Sequence, residues 1–93
     1  MSQLSQQVFY KGHVQGVGFR YSVKQIARGF DVTGSVRNCP DGQVELQASG
    51  EEGEVAAFLQ AIRESELKAH IRHEQVLTLA AAPPADGFKI LHG

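Results

Sequence analysis

The chain has 93 residues, 42% of them hydrophobic and 20% charged, and carries nine Lys and Arg against ten Asp and Glu for a formal net charge of −1. A single domain of this length buries roughly 60–65% of its unfolded surface, enough for one core and a shallow site. The balanced charge, with no basic block, speaks against electrostatic binding to nucleic acid or an anionic membrane surface.

The opening MSQLSQQ is polar and unlike a signal peptide, and no apolar run is long enough to span a bilayer. Residues 1–6 are therefore expected to form a flexible tail on a single domain covering 1–93. Residues 7–14, QVFYKGHV, alternate as a strand does, with Val8, Tyr10 and Val14 on one face and Phe9, Lys11 and His13 on the other. Then Gly12, Gly16 and Gly18 crowd into GHVQGVGFR before the pattern changes period. Val23, Ile26, Ala27 and Phe30 recur as one stripe of a helix that begins near Phe19–Arg20, and Gly29 suits its end.

VTGSVRN and QVELQAS alternate again around CPDG, which predicts a hairpin over 32–49. Ser49 and Glu52 have the spacing of a capping box, ahead of a helical stripe of Val55, Phe58, Leu59 and Ile62. Residues 71–79 and 87–91 read as strands, separated by AAAPPADG, where two prolines interrupt regular structure. Two one-faced helices in the order β-α-β-β-α-β can cover one side of a four-stranded antiparallel sheet. The expected fold is the ferredoxin-like α+β sandwich with a short extra C-terminal strand.

That fold serves many functions, so function has to come from a site. Base-stacking aromatics, which an RNA-recognition domain of this shape needs, are missing from QVELQAS. A metal-carrying version needs paired cysteines, and Cys39 stands alone. That lone thiol also suits a reducing, cytoplasmic location.

The glycine stretch is more informative. Gly16 and Gly18 permit backbone angles closed to other residues, so successive N–H groups can point into one anion-sized hollow. The N-terminus of the following helix would face the same hollow, and Arg20 would add a planar fork able to grip two phosphate oxygens. The spacing matches neither the dinucleotide fingerprint nor the nucleotide P-loop. On physics alone, a phosphate cradle and a plain Gly-rich turn followed by a solvated arginine stand about level.

A second segment, GSVRNCPDGQVE over 34–45, tips the balance. Together with GHVQGVGFR it resembles the acylphosphatase family, whose signatures are G-x-V-Q-G-V-x-F-R and G-x-V-x-N-x-x-D-G-x-V-E. The resemblance spans nearly the whole chain and implies hydrolysis of the carboxyl–phosphate anhydride of acyl phosphates, without metal or cofactor. It implies that Arg20 and the amides of Gln15, Gly16, Val17, Gly18, Phe19 and Arg20 hold the phosphate, and that Asn38 positions the attacking water. It further implies a small-molecule substrate, inorganic phosphate as product and competitive inhibitor, and a monomer. Similar domains also occur inside larger carbamoyl-transferring maturation proteins. The alternative is thus a non-hydrolytic module that binds phosphate or carbamoyl phosphate, or that regulates.

Other candidates read more plainly. Cys39 lacks the arginine six positions on that thiol phosphatases use, because position 45 is Glu45. His70 and His73, three apart on an expected strand, would point to opposite faces. His13 and His92 keep no motif company and read as surface histidines. Asp41 and Gly42 read as turn chemistry, and Glu51, Glu52 and Glu54 as a helix-start charge run. Gln15 and Val17 are expected to act through their backbone alone. The chain departs from many family members at Ser35, at Gly18 and at LKAHI, none of which touches Arg20 or Asn38.

Overall fold

A computed structural model describes residues 2–92 of the chain. Strands β1 (Gln3–Gly12), β2 (Val32–Asn38), β3 (Val44–Glu51), β4 (Ile71–Thr78) and β5 (Phe88–Leu91) form one sheet in the order β4-β1-β3-β2-β5. The first four pair antiparallel, and β5 joins the β2 edge in parallel, which makes the sheet mixed. Helices α1 (Phe19–Ala27) and α2 (Glu52–Glu64) complete the ferredoxin-like arrangement, with a 3-10 turn at Glu66–His70 leading into β4.

Alternation and helical period decide what is buried. Val8, Tyr10, Val36, Val44, Leu46 and Ala48 point from the strands to one side, where they meet Phe19, Val23 and Ala27 of α1 and Val55, Phe58, Leu59 and Ile62 of α2. Ile26 of α1 and Phe30, three residues beyond its end, pack against this core as partly buried neighbours. Phe58 lies at the centre of an aromatic row, its ring 5.9 Å from Phe30 and 5.5 Å from Phe88. Each fully buried aliphatic or aromatic side chain contributes about 1.5–3 kcal/mol, so α2 is held mainly by this stripe. Among the described residues, no helix is long and apolar enough to cross a membrane.

Three expectations change. The flexible tail over 1–6 is strand from Gln3 onward: Gln3, Leu4, Ser5 and Gln6 pair with Glu51, Gly50, Ser49 and Ala48, while Met1 lies outside the described residues. The sequence there is polar and weakly β-prone, but β3 supplies the missing partner groups, and Leu4 packs against the core. The capping box also moves. Ser49 stays within β3 and shares a 2.9 Å hydrogen bond with Ser5, while Glu51 becomes the cap of α2 and accepts from the Glu54 amide at 3.1 Å. Finally, His70 ends the 3-10 turn rather than sharing a strand with His73. Its ring meets that of His13 edge-on at 5.9 Å.

Because β4 and β5 occupy opposite sheet edges, the 79–87 segment has to cross the sheet, and residues 83–86 lie over Ser35, Gln47 and Ser49 on the face away from the helices. Backbone hydrogen bonds from Leu79 to Ser5 (2.8 Å) and from Gly34 to Gly87 (2.9 Å) tie it down at each side. The crossing delivers β5, and the residue after it, to the end of the molecule where α1 begins.

Candidate active site

The three glycines of GHVQGVGFR do different work. Gly12 has φ +134°, and a Cβ there would lie 2.3 Å from the His70 carbonyl oxygen, so it permits close approach of backbone to backbone. Gly16 (φ +79°) and Gly18 (φ +74°) would place a Cβ in open space. Their glycine identity answers to the left-handed backbone, which costs other residues roughly 1–2 kcal/mol, and not to crowding.

Gly18 is the N-cap of α1 and provides no side-chain cap, and the first turn contains no acidic residue. The Ser22 amide already bonds the Gly18 carbonyl at 3.0 Å. The amides ahead of it are the unpaired donors of a helix N-terminus, at its positive dipole end. Gly16, Gly18, Phe19, Arg20 and Tyr21 line a cleft of about 270 Å³ with Val14, Asn38, Ile90 and His92. Sequence segments 16–21, 38 and 90–92 therefore converge on one hollow.

Arg20 is half-buried, and its Nη1 donates to the Leu91 carbonyl at 3.0 Å. A guanidinium has five N–H donors, so this anchor fixes the group while leaving a fork for an oxyanion. Among the described residues, Arg20 has no carboxylate partner within ion-pair distance. Asn38 is the last residue of β2, directly before the turn that the Gly42 amide closes on the Cys39 carbonyl at 3.1 Å. Asp41 stabilises that turn by accepting from the Gln43 amide at 3.0 Å, and these hydrogen bonds hold its carboxyl below the usual range.

Gln15 and Val17 lie outside the cleft lining, and Val17 packs against the core. The Gln15 side chain has a task that sequence reasoning missed. Its Nε2 donates to the carbonyls of Cys39 (2.8 Å) and Gln43 (2.9 Å), clamping the glycine loop to the hairpin that carries Asn38. The available signal was a glutamine at a fixed motif position where backbone alone would demand no particular side chain. His92 is exposed, as a surface histidine is expected to be, and long-range strand pairing brings it to the rim of the cleft.

Cys39 is buried, and burial pushes its thiol above the ordinary range, opposite to what a nucleophilic thiolate requires. Among the described residues, no group of three or more His, Cys, Asp or Glu is placed to hold a metal ion. A larger cleft of about 570 Å³ lies under the 83–86 segment, against Ser35, Gln47 and Lys89. None of Gly16, Gly18, Arg20 or Asn38 reaches it, so it offers no comparable set of anion donors.

A family model described as Acylphosphatase matches residues 6–90. The chain belongs to the acylphosphatase family. It is 37% identical over 82 residues to an acylphosphatase of Lactobacillus gasseri, covering 87% of this chain and 90% of that protein. Against an acylphosphatase of Listeria welshimeri the identity is 43% over 75 residues, covering 81% and 80%. The crystal structure of acylphosphatase from Bacillus subtilis superposes with a TM-score of 0.85 at 31% identity, over 95% of this chain and 98% of that one. Full-length HypF in its phosphate- and nucleotide-bound form also matches, with a TM-score of 0.83 at 29% identity. That match covers 97% of this chain but 12% of HypF. The stand-alone relatives, matched over most of their own length, decide between the two expectations: the chain is a hydrolase of acyl phosphates, with a small-molecule substrate.

Proposed function

We propose that the substrate's phosphoryl group sits in the hollow at the start of α1, held by the amides of residues 15–20 and by the Arg20 fork, with Asn38 orienting the attacking water. The observation that carries this reading is the convergence of Gly16, Gly18, Arg20 and Asn38 on one cleft. An amide side chain accepts from water through its oxygen and donates through its nitrogen, which fixes the direction of attack. The water oxygen bonds phosphorus as the bond to the acyl oxygen breaks, and the carboxylate leaves with the bonding pair. The water's proton passes to a phosphoryl oxygen, so no protein base is needed.

A carboxylate is a good leaving group, so the barrier falls mostly through positioning and through charge stabilisation on the phosphoryl oxygens. Amides and a guanidinium already in place supply that stabilisation. Product phosphate uses the same donors and competes with substrate. All the side chains invoked come from one copy of the chain, which suits a monomer, and the single buried thiol suits a reducing, cytoplasmic setting.

Two substitutions separate the roles. Arg20 touches phosphate in ground and transition states, so Arg20→Ala weakens both phosphate affinity and kcat on benzoyl phosphate, and Arg20→Lys restores little because the bidentate fork is lost. Asn38→Ala leaves phosphate affinity near its original value while kcat falls by roughly 10²-fold, the scale of a lost positioning contact. Calorimetry with phosphate and steady-state assays, on variants shown to be folded by circular dichroism, make the test. A folded Asn38→Ala protein that loses phosphate binding but keeps its kcat sinks the water-positioning role.

A further inference from the structure

The glycine loop and the hairpin follow different strands, so something has to hold the spacing between them. The β1–β3 ladder ends at Tyr10 and Val44, five residues before Gln15. Beyond that point, among the described residues, two hydrogen bonds join segment 13–18 to segment 38–43. Gln15 Nε2 donates both, to the Cys39 carbonyl at 2.8 Å and to the Gln43 carbonyl at 2.9 Å. Each of these carbonyls already serves the turn: the Gly42 amide bonds the first at 3.1 Å, and the Cys39 amide bonds the second at 2.8 Å. A carbonyl oxygen has two lone pairs and a side-chain amide two protons, so Gln15 fills the second place on each acceptor. The side chain therefore fits the closed turn, in which Cys39 directly follows Asn38. It is half-buried and stands behind the cleft, outside its lining.

We propose that the Gln15 side chain is a positioning residue for the hydrolysis: its two hydrogen bonds fix the distance from the phosphate cradle to Asn38. It thereby sets kcat, while phosphate affinity is left to the loop amides and Arg20. The inference rests on the phosphate lying in the glycine loop and on Asn38 orienting the water. Attack needs reacting atoms about 3–3.5 Å apart, and a misplacement of about 1 Å costs on the order of 10²-fold in rate. Without the clamp, the β1–β3 and β2–β3 ladders still keep the two segments near one another, so the loss is smaller than that but falls on the chemical step.

Gln15→Met keeps the length of the side chain and the backbone amide but has no donor. Its kcat on benzoyl phosphate is expected to fall roughly tenfold, part of the cost of a full misplacement, while calorimetry finds phosphate affinity near the parent's. The decisive measurement is the same substitution in Asn38→Ala. The double variant should turn over no more slowly than Asn38→Ala alone, because the water-holding group that Gln15 positions is already gone. Glu51→Ala, which loses a helix cap outside the cleft, controls for lost stability and should keep the parental kcat. Gln15→Asn retains the donor but draws it back by one methylene; it should show a smaller loss of the same kind, and it replaces Gln15→Met in the cycle if that protein does not fold. Parental kcat in the folded Gln15 variant overturns the proposal, as do losses that multiply in the double variant or a phosphate affinity that falls as far as kcat. If Asn38→Ala itself keeps its kcat, or Arg20→Ala binds phosphate as well as the parent, the site reading fails and the clamp's role fails with it.

Discussion

The two helices of this domain end their N-termini in opposite ways. α2 satisfies itself: Glu51 caps the Glu54 amide, and Glu52 and Glu54 place negative charge in the first turn. α1 starts from a left-handed glycine, has no side-chain cap and holds no acid in its first turn. Both helices contribute a buried stripe to the same core, so this contrast does not arise from packing. A bare helix end costs stability that a cap would supply, about 1 kcal/mol. At α1 the cost coincides with a cleft, a half-buried arginine and a hairpin asparagine, and in the proposed reading the substrate's phosphate takes the place that a carboxylate takes in α2.

Making α1 resemble α2 is the strongest way to break the contrast. Tyr21 is 64% exposed, lies in the first turn of α1 and lines the cleft. Tyr21→Glu places a carboxylate where it can complement the helix dipole and bond the open amides, so the protein should gain about 0.5 kcal/mol in denaturant unfolding. The same charge repels the substrate's phosphate, and kcat/KM on benzoyl phosphate should fall roughly tenfold at low ionic strength, less in high salt. Stability and activity moving in the same direction would contradict the assignment of that helix end to phosphate.

The converse change is smaller and confined to stability. Glu51→Ala strips α2 of its cap and should cost about 1 kcal/mol, a fall of roughly 4–8 °C in Tm for a domain of this size. Its kcat/KM should match the parent, since that end of the fold contributes nothing to the cleft. A large loss of activity in a folded Glu51→Ala protein would show that the two helix ends are coupled. The smallest effect is expected at Cys39, beside Asn38. Its thiol is pushed up by burial and points to no reaction step, so Cys39→Ser should keep most of the activity, and complete inactivation would revive a thiol nucleophile.

Much of this molecule was legible in one dimension, wherever the decisive interactions are local or periodic. Val55, Phe58, Leu59 and Ile62 announce the buried face of α2 because a helix repeats every 3.6 residues, and Val44, Leu46 and Ala48 announce that of β3 because a strand repeats every two. The CPDG turn follows from its own residues, and Arg20 and Asn38 stand out through the two motifs. The capping box at Ser49 was misplaced because its spacing is equally compatible with a strand that runs two residues further, and only pairing with β1 decides that.

The order of elements, the helix and strand faces and the identity of the two signature side chains were therefore determined by the sequence itself. Tertiary structure decided what no local pattern encodes. β1 begins at Gln3 because β3 offers hydrogen-bond partners to a polar stretch with little strand preference of its own. Gln15 reaches carbonyls 24 and 28 residues away and so sets the glycine loop against the hairpin. Arg20 is held by a carbonyl 71 residues downstream, and His92 enters the cleft only because β5 docks parallel to β2. These contacts join positions far apart in the chain, where periodicity carries no information, and their geometry exists only once the sheet has assembled around its core.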